Sequence, residues 1–249
     1  MGDGADGNSK PGEQQYRATI SIAVPGSIID NTQSLERATA VAGQIARAAV
    51  IFRVHEIVVF DDWDSADGNS HGPRGWRGER FSGSGGSFLA RVLQYLDTPQ
   101  YLRRALIPLT PDLRLAGLLP PLDAPHHARM HEWPEFREGV AGGGEGGGGE
   151  GGAAGGGAYD LIIGTSEHGE VKEIGQFKFP PFRHALIVFG GVAGLEESCE
   201  LDEGLEEGRR EPQQLCHYYL NTCSLQGSRT IRTEEAVLIS LAHILALIK

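Results

Sequence analysis

Residues 17–24 (RATISIAV) alternate polar or small positions with apolar ones before a Pro25-Gly26 stop, the pattern of a strand ended by a turn. Asp30, Asn31 and Thr32 each offer a capping side chain, and Leu35, Ala38, Ala42, Ile45, Ala49 and Phe52 then recur at helical spacing. Residues 55–62 (HEIVVFDD) read as a buried strand with acids at its carboxyl end. Strand, helix, strand in this order is a βαβ unit and implies a parallel sheet.

A polar loop rich in Gly, Arg and Ser covers roughly 63–86, followed by a helix over 87–96, a helical piece around 99–105 and a Pro-rich turn region. Three short strands are predicted farther on, at 159–163, 184–189 and 217–221, each ending in a polar or glycine-bearing loop. The last helix is predicted to open with Thr233 as N-cap and Glu234 and Glu235 in its first turn, where carboxylates suit the helix dipole. It is apolar around nearly its whole circumference, so it is expected to be buried on several sides, in part by a second subunit. The fold class is α/β.

Residues 142–157 hold twelve glycines and two glutamates in sixteen positions, a flexible coil that spans only about 20–25 Å on average. Strands are expected on both sides of it. The reading is therefore a disordered tail over 1–15 and one domain over 16–249, interrupted by a Gly-rich linker at 139–157. An acidic loop is expected at 196–214, since eight acids face two arginines between Glu196 and Glu211.

With 249 residues, 40% of them apolar, the chain can bury a proper core. Its N-terminus lacks the apolar run of a secretion signal, and its longest apolar run is too short for a bilayer, so an intracellular protein is expected. Three cysteines without C-x-x-C spacing support neither a disulfide framework nor a zinc ribbon. The formal net charge of −11 disfavours a nucleic-acid partner at first sight. Much of it is concentrated in the acidic segment, while Arg74, Arg77 and Arg80 surround Trp76 and Arg103 and Arg104 follow Tyr101, clusters able to form a local phosphate-binding face.

Four places carry candidate chemistry. The loop 83–87 (GSGGS) precedes a helix, where backbone N–H groups can hold a phosphate, but it lacks the Lys-Ser/Thr ending of a nucleotide loop. A plain loop or an RNA backbone contact is the better reading, and a nucleotide-phosphate enzyme is disfavoured. Asp123, His126, His127 and His131 cluster around Pro125, yet no Cys or Glu completes a metal set, so no metal is expected. Asp123 or a histidine can instead act as general base, contact nucleic acid or simply hold a turn. Glycine-bearing loops after the last three strands, at 163–169, 189–196 and 221–235, point to a ligand pocket at the strands' carboxyl ends.

Together, residues 21–34 (SIAVPGSIIDNTQS), 42–47 (AGQIAR), 56–61 (EIVVFD), 99–103 (PQYLR), 121–127 (PLDAPHH), 182–191 (FRHALIVFGG) and 226–236 (QGSRTIRTEEA) resemble the SPOUT superfamily of RNA methyltransferases. The resemblance is closer to one branch, the eukaryotic and archaeal class VI-like rRNA methyltransferases. The resemblance implies an α/β knot with a mainly parallel sheet, a C-terminal trefoil knot binding S-adenosylmethionine, and a homodimer. It implies a cofactor pocket from Thr165, Ser166, Glu167 and His168; Gly190, Gly191, Gly194 and Leu195; and Asn221, Thr222, Cys223, Gln226, Gly227, Ser228, Thr230 and Ile231.

The same resemblance implies RNA as substrate, with uridine N3 of large-subunit rRNA as target; no membrane association is expected, and a nuclear or nucleolar location is expected over a cytoplasmic one. Methyl transfer from a sulfonium chiefly needs an aligned nucleophile and removal of its proton. Arg232 is a candidate for supplying positive charge, Glu234, Asp123 or His126 for taking the proton, and Asn31, Arg37, Arg74, Arg77 and Arg80 for substrate contacts. Relatives carry a barrel resembling an OB-fold where this chain has only the glycine tract. A non-catalytic RNA-binding, ribosome-assembly or scaffold protein that keeps the knot is therefore the alternative.

Overall fold

The computed structural model describes residues 18–62, 83–128, 132, 138–139, 158–202, 204–205 and 210–248. Arg74, Arg77, Arg80 and His131, the tail over 1–15 and the glycine tract lie outside the described residues. The chain runs β1 (Thr19–Pro25), α1 (Ser27–Asp30), α2 (Leu35–Ile51), β2 (Glu56–Phe60), α3 (Gly85–Asp97) and α4 (Arg103–Leu106), then two 3-10 turns. Beyond the glycine tract come β3 (Leu161–Glu170), β4 (His184–Val188), α5 (Gly194–Leu201), α6 (Pro212–Leu215), β5 (Tyr218–Leu220) and α7 (Thr233–Ile248).

Five strands form one sheet in the order β2-β1-β4-β3-β5, and every pairing is parallel. The junction between the two halves of the sequence is β1 against β4, with Ile20 opposite Ala185 and Ile22 opposite Ile187. As an inner strand, β1 is buried almost throughout, unlike the one-sided burial its alternation suggests. Its Ser21 is buried and donates its hydroxyl to Glu56 at 2.9 Å. The core joins Ile22, Val24, Ile163, Ile187 and Leu220 of the sheet to Ala42 and Ile45 of α2, Phe88 and Val92 of α3, and Leu241 and Ile244 of α7. None of the described helices is long and apolar enough to cross a membrane.

Helix starts differ from expectation. Ser34, not Asp30, Asn31 or Thr32, caps α2 by accepting the Arg37 N–H, while Asp30 and Asn31 are used to finish α1. Ser84 caps α3, which begins two residues before the predicted Ser87. Thr233 is no cap: its hydroxyl donates to the Gly190 carbonyl at 2.9 Å. The cap position falls on Arg232, whose N–H is accepted by Glu235 at 3.0 Å, one half of a capping box. The segment expected as an acidic loop over 196–214 begins as α5 and includes α6.

Candidate cofactor and substrate site

Register places Pro25 beside Phe60, Ala23 beside Val188, Gly164 beside Val188 and Thr165 beside Leu220, so these strands end along one edge. From that edge emerge the three loops singled out in the sequence. Leu220 pairs first with Thr165 and again with Glu170, so residues 166–169 leave the ladder and return to it around the end of β5. Gly169 makes this crossing possible, because a Cβ there would fall on the backbone of Leu220 and Asn221. The Asn221 side chain ties the crossing, donating to Glu167 O at 2.8 Å, and its oxygen accepts the Cys223 N–H at 3.0 Å.

The second loop is equally tight. A Cβ on Gly190 would strike the backbone of Gly194 and Leu195, and Gly194 has φ +85°, a region glycine occupies without strain. Gly191 lies against the Asp62 carboxylate and the Ser27 hydroxyl, which are themselves bonded at 2.5 Å. At Gly190, glycine is thus dictated by backbone approach. In the third loop, Gln226 donates to Ser228 O at 3.1 Å, Ser228 donates to Thr230 O at 2.8 Å, and Thr222 shares a 2.8 Å hydrogen bond with Ser240 of α7.

Two residues not foreseen as site members hold the loops together. Glu196 of α5 accepts from Ser166 at 3.0 Å and from Tyr219 of β5 at 2.7 Å through the same carboxylate oxygen. Burial opposes its ionisation, but the hydrogen bonds from Tyr219, its own backbone N–H and Ser166 prevail and hold the carboxyl below its ordinary range. Burial, with the Glu196 carboxylate adding to it against the Ser166 hydrogen bond, pushes the Tyr219 phenol well up, keeping it a neutral donor. No sequence pattern marks this pair: Tyr219 reads as strand filling, and Glu196 is one acid among eight.

Of the residues expected to act on the substrate, Arg232 and Glu234 are with the pocket loops, at the start of α7 where Thr233 touches Gly190. Their ion pair is loose, 4.0 Å, with the Arg232 side chain 72% exposed and that of Glu234 only 10%. Exposed Arg37 occupies the first turn of α2 on the same edge of the sheet, and Asn31 is spent on the Ser27 carbonyl at 3.0 Å. Asp123 and His126 are not brought to this edge. Gly86, at the amino end of α3, adjoins Gly26 and Asp61 at the carboxyl edge, whereas His126 contacts Asp97 at the other end of that helix. Thirteen helical residues separate the two places by about 20 Å.

The 83–87 loop is no phosphate cradle. Gly85 and Gly86 face the carboxylates of Asp30 and Asp61, so the start of α3 already meets negative charge. Burial, with Asp61 and Asp62 adding to it against the Gly85 N–H, raises the Asp30 carboxyl above its usual range. Cys216, beside Gly164, is pushed by burial to about 11. It is a packed thiol rather than a nucleophile.

A family model described as Putative RNA methyltransferase matches residues 19–150 and 152–244. The chain belongs to this family. It is 40% identical to the mouse protein named 28S rRNA (uridine-N(3))-methyltransferase, the match covering 90% of this chain and 75% of the relative. The human protein of the same name is likewise 40% identical, with 90% and 77% covered. The mouse alignment runs over 295 positions, more than the 249 residues of this chain, so the relative carries residues within the matched span that have no counterpart here. Among solved structures, the SpoU methyltransferase AviRb of Streptomyces viridochromogenes, in complex with AdoMet, matches with a TM-score of 0.32 and 14% identity, covering 92% of this family member and 58% of that chain.

Proposed function

We propose that this protein is an S-adenosylmethionine-dependent RNA methyltransferase acting at uridine N3 of large-subunit rRNA, as a knotted homodimer. The observation that carries the reading is the convergence of three loops at one sheet edge, in a chain of this family whose mouse and human relatives bear that activity in their names. Residues 169 and 190 leave no room for side chains and bring backbone groups close together. Val192 and Leu225 stand 76% and 96% exposed on two of the loops, apolar surface suited to the flat face of an adenine. A bound S-adenosylmethionine supplies an already activated methyl group.

The protein's own task is then to place and deprotonate the base. Arg232, exposed beside the pocket loops, supplies positive charge for a uridine anion, and Glu234, its ion-pair partner, receives the N3 proton. Double pairing of Leu220 by Thr165 and Glu170 supports a knotted carboxyl-terminal part. Exposed Leu238, on the largely apolar α7, suits a subunit contact. The residues that the mouse relative has in excess fit an insertion at the glycine tract, so this chain binds its RNA with less surface.

The test maps rRNA methylation in cells lacking the gene, rescued by the wild-type protein or by Gly190→Arg. The wild type should restore one uridine methylation and the variant should not. Equal rescue by both proteins excludes methyl transfer by this pocket. Calorimetry with S-adenosylhomocysteine isolates the cofactor step, and no binding at high micromolar concentration refutes it.

A further inference from the structure

Away from the pocket, at the carboxyl end of α3, two neighbouring histidines meet an aspartate about thirty residues earlier in the chain. One ring nitrogen each from His126 and His127 and a carboxylate oxygen of Asp97 all lie within 4.8 Å of one another. His126 Nε2 is 3.3 Å from Asp97 Oδ1 and 3.0 Å from the Asp97 carbonyl, and His127 Nε2 is 2.6 Å from that same carbonyl. Adjacent side chains on an extended segment diverge. Here a turn closed by the His127 N–H on Ala124 O folds both rings to one side, edge to face with centroids 4.4 Å apart.

A histidine cap on the last carbonyls of α3 accounts for one of these contacts, since helix ends leave carbonyls unpaired. It does not require two imidazole nitrogens to converge on a single oxygen with a carboxylate beside them. Two imidazoles, a carboxylate and a carbonyl at one point form a donor set suited to a borderline divalent ion, zinc above all, and poorly suited to magnesium or calcium. Small shifts bring these atoms to the roughly 2.0–2.2 Å bonds such an ion needs. Solvent reaches the site, with side-chain exposures of 36% for His126 and 72% for Asp97.

We infer that Asp97, His126 and His127 form a transition-metal site that clamps the 122–127 segment to the end of α3. Neutral histidines bind through Nε2, the ring proton moving to Nδ1. The clamp adds to an existing anchor, because Arg47 of α2 donates to Leu122 O at 2.5 Å and Leu119 fills the space over Gly43. It pins one segment to both α2 and α3 at the end of the domain away from the cofactor loops. The inference does not depend on the methyltransferase reading.

The full-length protein, stripped with chelator and dialysed, is titrated with zinc by calorimetry, with magnesium as comparison and cobalt for its visible spectrum. One zinc per chain is expected, with cobalt bands in the visible and a higher Tm when zinc is bound. His126→Gln/His127→Gln keeps N–H donors for the Asp97 carbonyl, so it should fold yet lose saturable zinc uptake, the cobalt bands and the Tm response. Asp97→Asn should bind about tenfold more weakly or worse. If wild type takes up no zinc at tens of micromolar, or the double histidine variant takes up as much as wild type, the histidines are only a helix cap and the inference is wrong.

Discussion

Glu196 is the side chain from which the pocket loops hang, because one of its oxygens serves both Ser166 and Tyr219. Tyr219→Phe removes a hydrogen bond to a charged acceptor and should cost about 1.5 kcal/mol in urea unfolding. Glu196→Gln should also destabilise, and the double variant should lose less than the sum, because the two groups share one contact. The pH dependence has a definite sign. With its carboxyl held below the ordinary 4.5, Glu196 stabilises the fold above that pH and loses the contribution as pH falls through its folded value. The stability gap between wild type and Glu196→Gln should therefore close in acid. Asp30 behaves oppositely: its carboxyl is raised above 3.8, so stability falls as pH rises from there through the folded value. Asp30→Asn keeps an oxygen for the Gly85 N–H and should raise Tm at pH 7, with the advantage gone in strong acid.

Among the elements, the strands were legible in sequence because β-branched and aromatic runs bounded by Gly and Pro have few other readings. All five predicted strands are present, and their parallel pairing follows from the βαβ pattern. Helix ends were not, since several polar residues in succession can each cap, and only geometry selects Ser34. The helix α5 was hidden for a different reason: its acids look like a solvated loop, yet Leu195 is buried and Glu196 turns toward β3 and β5. The pocket loops were legible as glycine-bearing turns. The crossing that makes Gly169 necessary was not, because it joins residues far apart in the chain. At the start of α7, Glu235→Ala removes the acceptor for the Arg232 N–H and should cost about 1 kcal/mol, read as a lower Tm. That change leaves Glu234 in place, so a larger effect on methyl transfer than on stability would point to Arg232 as the group displaced.

For the whole molecule, the proposed homodimer predicts twice the chain mass by light scattering at tens of micromolar, and Leu238→Glu, a charge on an exposed apolar position of α7, should yield monomers. A wild type that is strictly monomeric overturns that assignment. The sheet order has a further consequence, for how the protein is made. One side of β1 is covered by β2 early, but its other partner is β4, 165 residues later at the Thr19–His184 pair. At ordinary synthesis rates of 5–20 residues per second, a nascent chain carries that open edge for roughly 10–30 s. An emerging ribosomal product with an unpaired apolar strand is a target for holding chaperones, and truncated translation products of this gene should aggregate where the finished chain does not.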